Sequence, residues 1–159
     1  KTHQNHSNES LEYFDPKTNT KYLPYVVEPS LGVERLFLAV LSSAYEQEAL
    51  ANGELRDLMR LHPTIAPIKA AVLPLTNKLS DQAHELYVQL SKYFMCDFDT
   101  SGKIGKRYRR QDGIGTPFCI TYDFDSLDDG CVTIRNRDSM AQERVAIKDV
   151  VLYINDRIR

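Results

Sequence analysis

The chain has 159 residues, enough for one domain with a proper core and some further structure, and its 42% hydrophobic and 26% charged residues are an ordinary globular balance. No apolar run nears the roughly 20 residues that span a bilayer, and a formal net charge of −2 is unsuited to the broad basic surface of a non-specific DNA binder. Any nucleic-acid site must therefore be local.

Residues 1–10 are polar, begin with Lys1 rather than methionine and lack the layout of a signal peptide, so the chain reads as a piece of something longer. His3 and His6 stand three apart without a helix signal or a third ligand, and no metal site is expected there. Cys96, Cys119 and Cys131 are an odd number without metal-ligand spacing, which predicts reduced thiols and a cytoplasmic setting.

The segment Tyr25-Val26-Val27-Glu28-Pro29-Ser30 reads as a strand, whose alternation would put Glu28 and Ser30 on one face, able to converge on a small cationic group. Leu36, Phe37, Val40, Leu41 and Ala44 recur at helical spacing, so a helix begins near Gly32 with Arg35 in its first turn. A cation there opposes the helix dipole. Arg35 makes most sense if it and the free first-turn N–H groups face one anion such as a phosphate; the alternative is a partner for Glu34 or an exposed side chain.

Residues 46–60 read as an acidic, weakly patterned connection with a turn at Asn52-Gly53. Pro63, Pro67 and Pro74 then punctuate an apolar run at 68–73 suited to a strand buried on both faces, and the domain boundary is expected at about residue 62. Ser80 is expected to cap a helix with an apolar stripe of Ala83, Leu86, Tyr87, Leu90 and Phe94. An extended piece at 95–98 follows, then a basic helix over about 104–111 that stops before Gly113, Gly115 and Pro117. The alternation at 118–124 predicts a half-buried strand. A polar turn at 126–130 leads to strands at 131–137 and 140–147, and Asp149 caps a last helix with Val150, Val151, Ile154 and Ile158 inward. The order β-α-β-α-β-β-β-α implies an α/β fold with a mixed β-sheet covered by three helices.

Lys103, Lys106, Arg107, Arg109 and Arg110, with Tyr108 among them, form a dense basic cluster, and the alternation of Thr133, Arg135 and Arg137 puts two more arginines on one strand face. Cations for phosphates and aromatic or guanidinium planes for unstacked bases are what single-stranded RNA recognition uses. The competing readings are a solvated basic face, packing of Tyr108 against Ile104, and, for Asp112, a pair with a neighbouring arginine instead of the amino group of a cytosine. Asp123, Asp125, Asp128 and Asp129 with Gly130 miss calcium-loop spacing and read as a solvated hairpin.

The Glu28-Pro29-Ser30 strand followed by Gly32-Val33-Glu34-Arg35 and an apolar helix resembles the third signature motif of class II aminoacyl-tRNA synthetases in its glycyl form. The strings His62 to Lys69, Ile104 to Phe118 and Thr133 to Met140 resemble the anticodon-binding domain of the same family, closest to its dimeric bacterial type. The resemblance implies that residues 1–61 are the last part of a class II antiparallel catalytic domain, with the motif at about 25–41, and that 62–159 are the anticodon-binding domain. It implies a parent enzyme, a cytoplasmic homodimer, that activates glycine with ATP and Mg2+ and charges tRNA(Gly). Arg35 would lie on ATP, as the catalytic contribution, and Glu28 and Ser30 on glycine. Glycine anticodons end in two cytosines, and Lys106, Arg107, Arg109, Arg110, Asp112, Arg135 and Arg137 are the candidate anticodon contacts. The family's first and second motifs are not in this stretch, so it is not expected to activate glycine alone. The alternative is a non-catalytic tRNA-binding or accessory module on the same fold.

Overall fold

The computed structural model describes residues 1–51 and 53–158. They form two compact units, Lys1–Arg35 and Leu36–Arg159.

The first unit holds helix α1 (Thr2–Ser7) and a hairpin of β1 (Tyr13–Asp15) and β2 (Thr20–Tyr22). Its turn is set by Asp15, whose carboxylate accepts from the Lys17 N–H and the Thr18 hydroxyl, both at 2.9 Å. Tyr13 and Tyr22 meet edge to face across the strands, 5.8 Å apart. Helix α1 places His3 and His6 on a helix after all, but the described residues contain no group of three or more metal-ligating side chains. Residues 23–32 have no regular structure, so the strand expected around Glu28 and Ser30 is absent. An extended segment becomes a strand only through ladder bonds, and this one pairs with no described strand. Helix α2 (Val33–Ala44) begins where its apolar periodicity does, with Arg35 in its first turn.

In the second unit the expected connection at 46–60 is a hairpin of β3 (Tyr45–Ala49) and β4 (Leu55–Met59). Gly53, at φ +82°, lies in the turn foreseen there, while Asn52 lies outside the described residues. Five strands follow: β5 (Ala70–Pro74), β6 (Cys96–Phe98), β7 (Phe118–Tyr122), β8 (Cys131–Asn136) and β9 (Gln142–Ala146). They lie in the order β6-β5-β7-β8-β9, with β5 parallel to both its neighbours and the remaining pairs antiparallel. Helices α3 (Ser80–Leu90), α4 (Ile104–Ile114), α5 (Asp125–Asp129) and α6 (Val150–Asn155) complete the fold.

The sheet is covered on both faces. Val72, Ile120 and Ile134 pack with Leu86 and Leu90 of α3 and with Val150 and Ile154 of α6, while Ala71, Leu73 and Cys119 lie under Ile104 and Tyr108 of α4. Hence β7 is buried along its whole length and not half-buried: Cys119 and Thr121 are covered by the second layer. Ser80 is the first residue of α3 and not its cap, because a 3-10 turn, Asn77–Leu79, leads in. Asp149 does hold the N-cap position of α6, without a side-chain bond, and the polar turn at 126–130 is the single turn of α5. Lys69, just before β5, donates from Nζ to the carbonyls of Pro63, Thr64 and Ala66, each at 2.8 Å, which gathers the loop ahead of the sheet.

Helix α4 runs through Gly113, where a mid-helix glycine is tolerated at a cost of under about 1 kcal/mol, and ends at Gly115. Gly115 has φ +87°, and a Cβ there would come within 3.0 Å of both Leu61 Cδ1 and the Met59 carbonyl oxygen. Conformation and the close approach of β4 both require glycine. Gly115→Ala is expected to destabilise the chain by about 1–3 kcal/mol, read as an earlier urea midpoint with an unchanged slope. A midpoint equal to the parent's would mean that the helix end relaxes freely.

Candidate nucleic-acid interface

Helix α4 carries the basic cluster and sorts it into an inner and an outer set. Ile104 and Tyr108, four apart, meet the sheet. The Tyr108 hydroxyl bonds Thr121, burial raises its pKa, and Arg135 lies over its ring at 4.9 Å, so Tyr108 is a packing residue and not a base platform. Arg107, on the same inner side, is buried and donates from Nη1 to the Pro74 carbonyl at 2.6 Å and the Asp99 carbonyl at 3.1 Å. It ties together the ends of β5 and β6.

Asp112 has no exposed surface. Arg135 of β8 grips it with two parallel bonds, Nη1 to Oδ1 at 2.8 Å and Nη2 to Oδ2 at 3.1 Å. Arg56 of β4 donates to Oδ2 at 3.4 Å and to the Arg137 carbonyl at 3.1 Å, and Arg109 donates to Oδ2 at 3.3 Å. Arg137 is equally enclosed. Its Nη1 donates to the Gly115 carbonyl, its Nη2 to the Leu61 carbonyl, both at 2.8 Å, and its fork holds Asp138.

Arg107, Asp112, Arg135 and Arg137 are therefore corrections to the expected anticodon surface. All four are buried, and each is bonded to groups of the chain itself. The two strand arginines do share a face, but it is the face beneath α4. Arg56, assigned to a connection by its sequence context, is the functional-looking residue that sequence reasoning missed; the one available signal was Arg56 and Leu58 at a spacing of two.

The outer set remains. Lys103 and Lys106 are exposed, and their side chains have no ion-pair or hydrogen-bond partner among the described residues. Arg110 is exposed and braced by Asp99, with Nε to Oδ2 at 2.9 Å, and by the Ser101 carbonyl; Arg109 is 40% exposed at its side chain. Lys103 is the N-cap of α4 and Lys106 lies in its first turn, where the dipole disfavours cations unless an anion joins them. Lys78, also exposed, follows the end of β5 as Lys103 follows the end of β6. Lys78 and Lys103 thus both follow the carboxyl ends of this parallel pair.

In the first unit Glu28, Ser30 and Arg35 are exposed, and Arg35 has no partner among the described residues, Glu34 included. The free arginine suits one phosphate contact. In the irregular segment Glu28 and Ser30 lack the alternation that would fix a shared face. The acidic stretch holds no cation loop: Arg144 bridges Asp123 at 2.6 Å and Asp129 at 2.9 Å. Burial opposes ionisation of Asp123, yet Arg144 and Ser126 hold its pKa below the usual carboxylate value. Burial pushes the Cys96 thiol up to about 11 and Cys119 up to about 12, so neither is a thiolate at neutral pH.

Residues 69–157 match the family described as an anticodon binding domain. Over the whole chain, the glycine–tRNA ligase of Alkaliphilus oremlandii is 57% identical, with 34% of its own length covered. That of Clostridium perfringens is 60% identical over 93% of this chain and 32% of its own. The chain spans about a third of the length of these curated relatives. Among solved structures, the RNA binding domain of threonyl-tRNA synthetase from Cryptosporidium parvum superposes with a TM-score of 0.58 at 23% identity, over 62% of this chain and 25% of that one, a likeness of fold.

Asp112→Asn keeps the side chain's volume, strands the buried Arg135 guanidinium and takes one of the two carboxylates from the buried Arg56. The expected loss is about 3–5 kcal/mol of stability, against about 0–1 kcal/mol for Arg110→Ala, whose pair with Asp99 is partly exposed. Chemical denaturation of the two variants checks this. Similar midpoints would mean that Asp112 does not hold the cluster together.

Proposed function

We propose, because the chain belongs to the anticodon-binding domain family, that it is the tRNA-docking part of a cytoplasmic glycine–tRNA ligase and grips the anticodon arm of tRNA(Gly) with the outer side of α4. The observation that carries this reading is the set of unpaired lysines, Lys103 and Lys106, beside Arg109 and Arg110 on a chain of net charge −2. Ammonium groups with no internal partner are free to replace the counterions of RNA phosphates, and the first-turn N–H groups of α4 favour the same ligand.

The relatives are named for joining glycine to tRNA; for the parent we infer that glycine is first activated with ATP. Arg35 is proposed to contact ATP, its planar fork matching phosphate and its face suiting a base, and Glu28 with Ser30 to hold the glycine amino group. Magnesium has no cluster of three ligands among the described residues, and no step is assigned to it. The parent is proposed to be a homodimer.

Two experiments test the reading. With tRNA(Gly) transcripts at several salt concentrations, Lys103→Ala and Lys106→Ala should each weaken binding about equally for matched and anticodon-substituted RNA, and lower the log–log salt slope by about 0.7–0.9. Unchanged affinity and slope would make this end of α4 a solvated face. In the full ligase, Glu28→Gln should weaken glycine binding by about 1–3 kcal/mol with little effect on ATP, whereas Arg35→Lys should impair chiefly the use of ATP. Equal effects of both changes on both substrates would refute the role assignment.

A further inference from the structure

Several cations gather around Asp112. Arg56, Arg109 and Arg135 all address that one carboxylate; Glu48 adds a second, 2.7 Å from Arg56 Nη2, and is itself shared with Arg60 at 3.9 Å. These three arginines thus share two carboxylates between them.

Two of them, Arg56 and Arg109, border a cleft of about 390 Å³ that is also lined by Glu54, Leu55 and Asp57. Arg56 is fully buried, yet its Nε–H has no acceptor, and Nη2 has the ion pair with Glu48 out of line for a hydrogen bond. A buried donor without an acceptor carries a desolvation cost, and a guanidinium cannot shed its charge to escape it. Arg109 is more exposed. Its bond to Asp112 Oδ2 is long and falls on an oxygen already bonded by Arg135 and Arg56. The wall also carries two acids. Asp57 takes the Tyr45 hydroxyl and the Gln47 amide on the other face of the hairpin, and Glu54 is itself engaged.

We propose that this cleft between β4 and α4 is an oxyanion site that takes a phosphate group. Arg109 turns from Asp112 to the ligand, and Arg56 offers the Nε–H that nothing among the described residues accepts. Paired arginine forks are the donor set that phosphate oxygens match. Where the phosphate belongs to RNA, the site deepens the tRNA reading and rests on it; where it is free phosphate, the site stands apart from that reading.

The test titrates inorganic phosphate, at constant ionic strength, into the 15N-labelled chain and follows the arginine Nε–H resonances. Saturable shifts are expected at Arg56 and Arg109 in the parent, at least tenfold weaker in Arg109→Gln and partly kept in Arg109→Lys. Absence of a saturable shift at either group up to about 50 mM phosphate overturns the site. The second arm measures tRNA(Gly) binding against salt. A slope lowered by slightly under one unit in Arg109→Gln assigns the site to the RNA backbone. An unchanged slope with the phosphate response intact assigns it to the free ion. Loss of all tRNA binding by the parent chain would sink the tRNA reading and leave the phosphate titration to decide the cleft.

Discussion

The carboxylate of Asp112 is the point on which the second unit is organised. A charge with no access to water must be paired within the chain, and Asp112 draws its partners from three elements: Arg135 from β8, Arg56 from β4 and Arg109 from its own helix. The two-pronged bond from Arg135 fixes how far α4 is rotated about its axis over the sheet. Once that rotation is set, Arg107 and Tyr108 turn inward while Lys106 and Arg110 turn outward. The polarity of the outer side of α4 is thus decided by an ion pair beneath it. Such pairs add little to stability over a well-packed apolar core, but a mispaired one costs much, and this suits them to choosing one arrangement among several.

The same pairing attaches the β3–β4 hairpin. Arg56 reaches Asp112 and the Arg137 carbonyl, and Arg137 reaches back to the Leu61 and Gly115 carbonyls. Gly115, bare of a side chain, lets Met59 and Leu61 close against the end of α4. Charge and sterics act at adjacent places. The hairpin, which continues directly from α2, is thus held to the end of α4 by both.

The sequence revealed most where apolar residues dictate the outcome. The β5 run, the α3 stripe and the order of five strands follow from periodicity, and the mixed sheet follows from the lengths of the connections. The hairpin was hidden because the side chains it turns inward, Glu48 and Arg56, are charged and mimic a solvated loop. The same blindness sent Arg107, Arg135 and Arg137 to the surface: composition reports that an arginine is charged, but not that carbonyls and a carboxylate wait for it inside. For Asp112 the plainer alternative, a pair with arginine, is the one the fold adopts. Residues around Glu28 and Ser30 had the alternation of a strand but pair with no described neighbour, and alternation alone does not make a ladder.

Lys69 carries a quieter consequence. Its ammonium group is held by three carbonyl oxygens of one short loop, and burial lowers its pKa. All three of its N–H donors are occupied, so in the folded chain the nitrogen presents no lone pair and the side chain no free end. Trypsin, which must draw a lysine out into its own pocket, finds the bond after Lys69 closed to it until the loop opens, and acylating reagents meet the same barrier. Among the lysines of the second unit, chemical reactivity therefore divides as the architecture does: Lys69 reports on unfolding, while Lys103 and Lys106 report on what covers the outer side of α4.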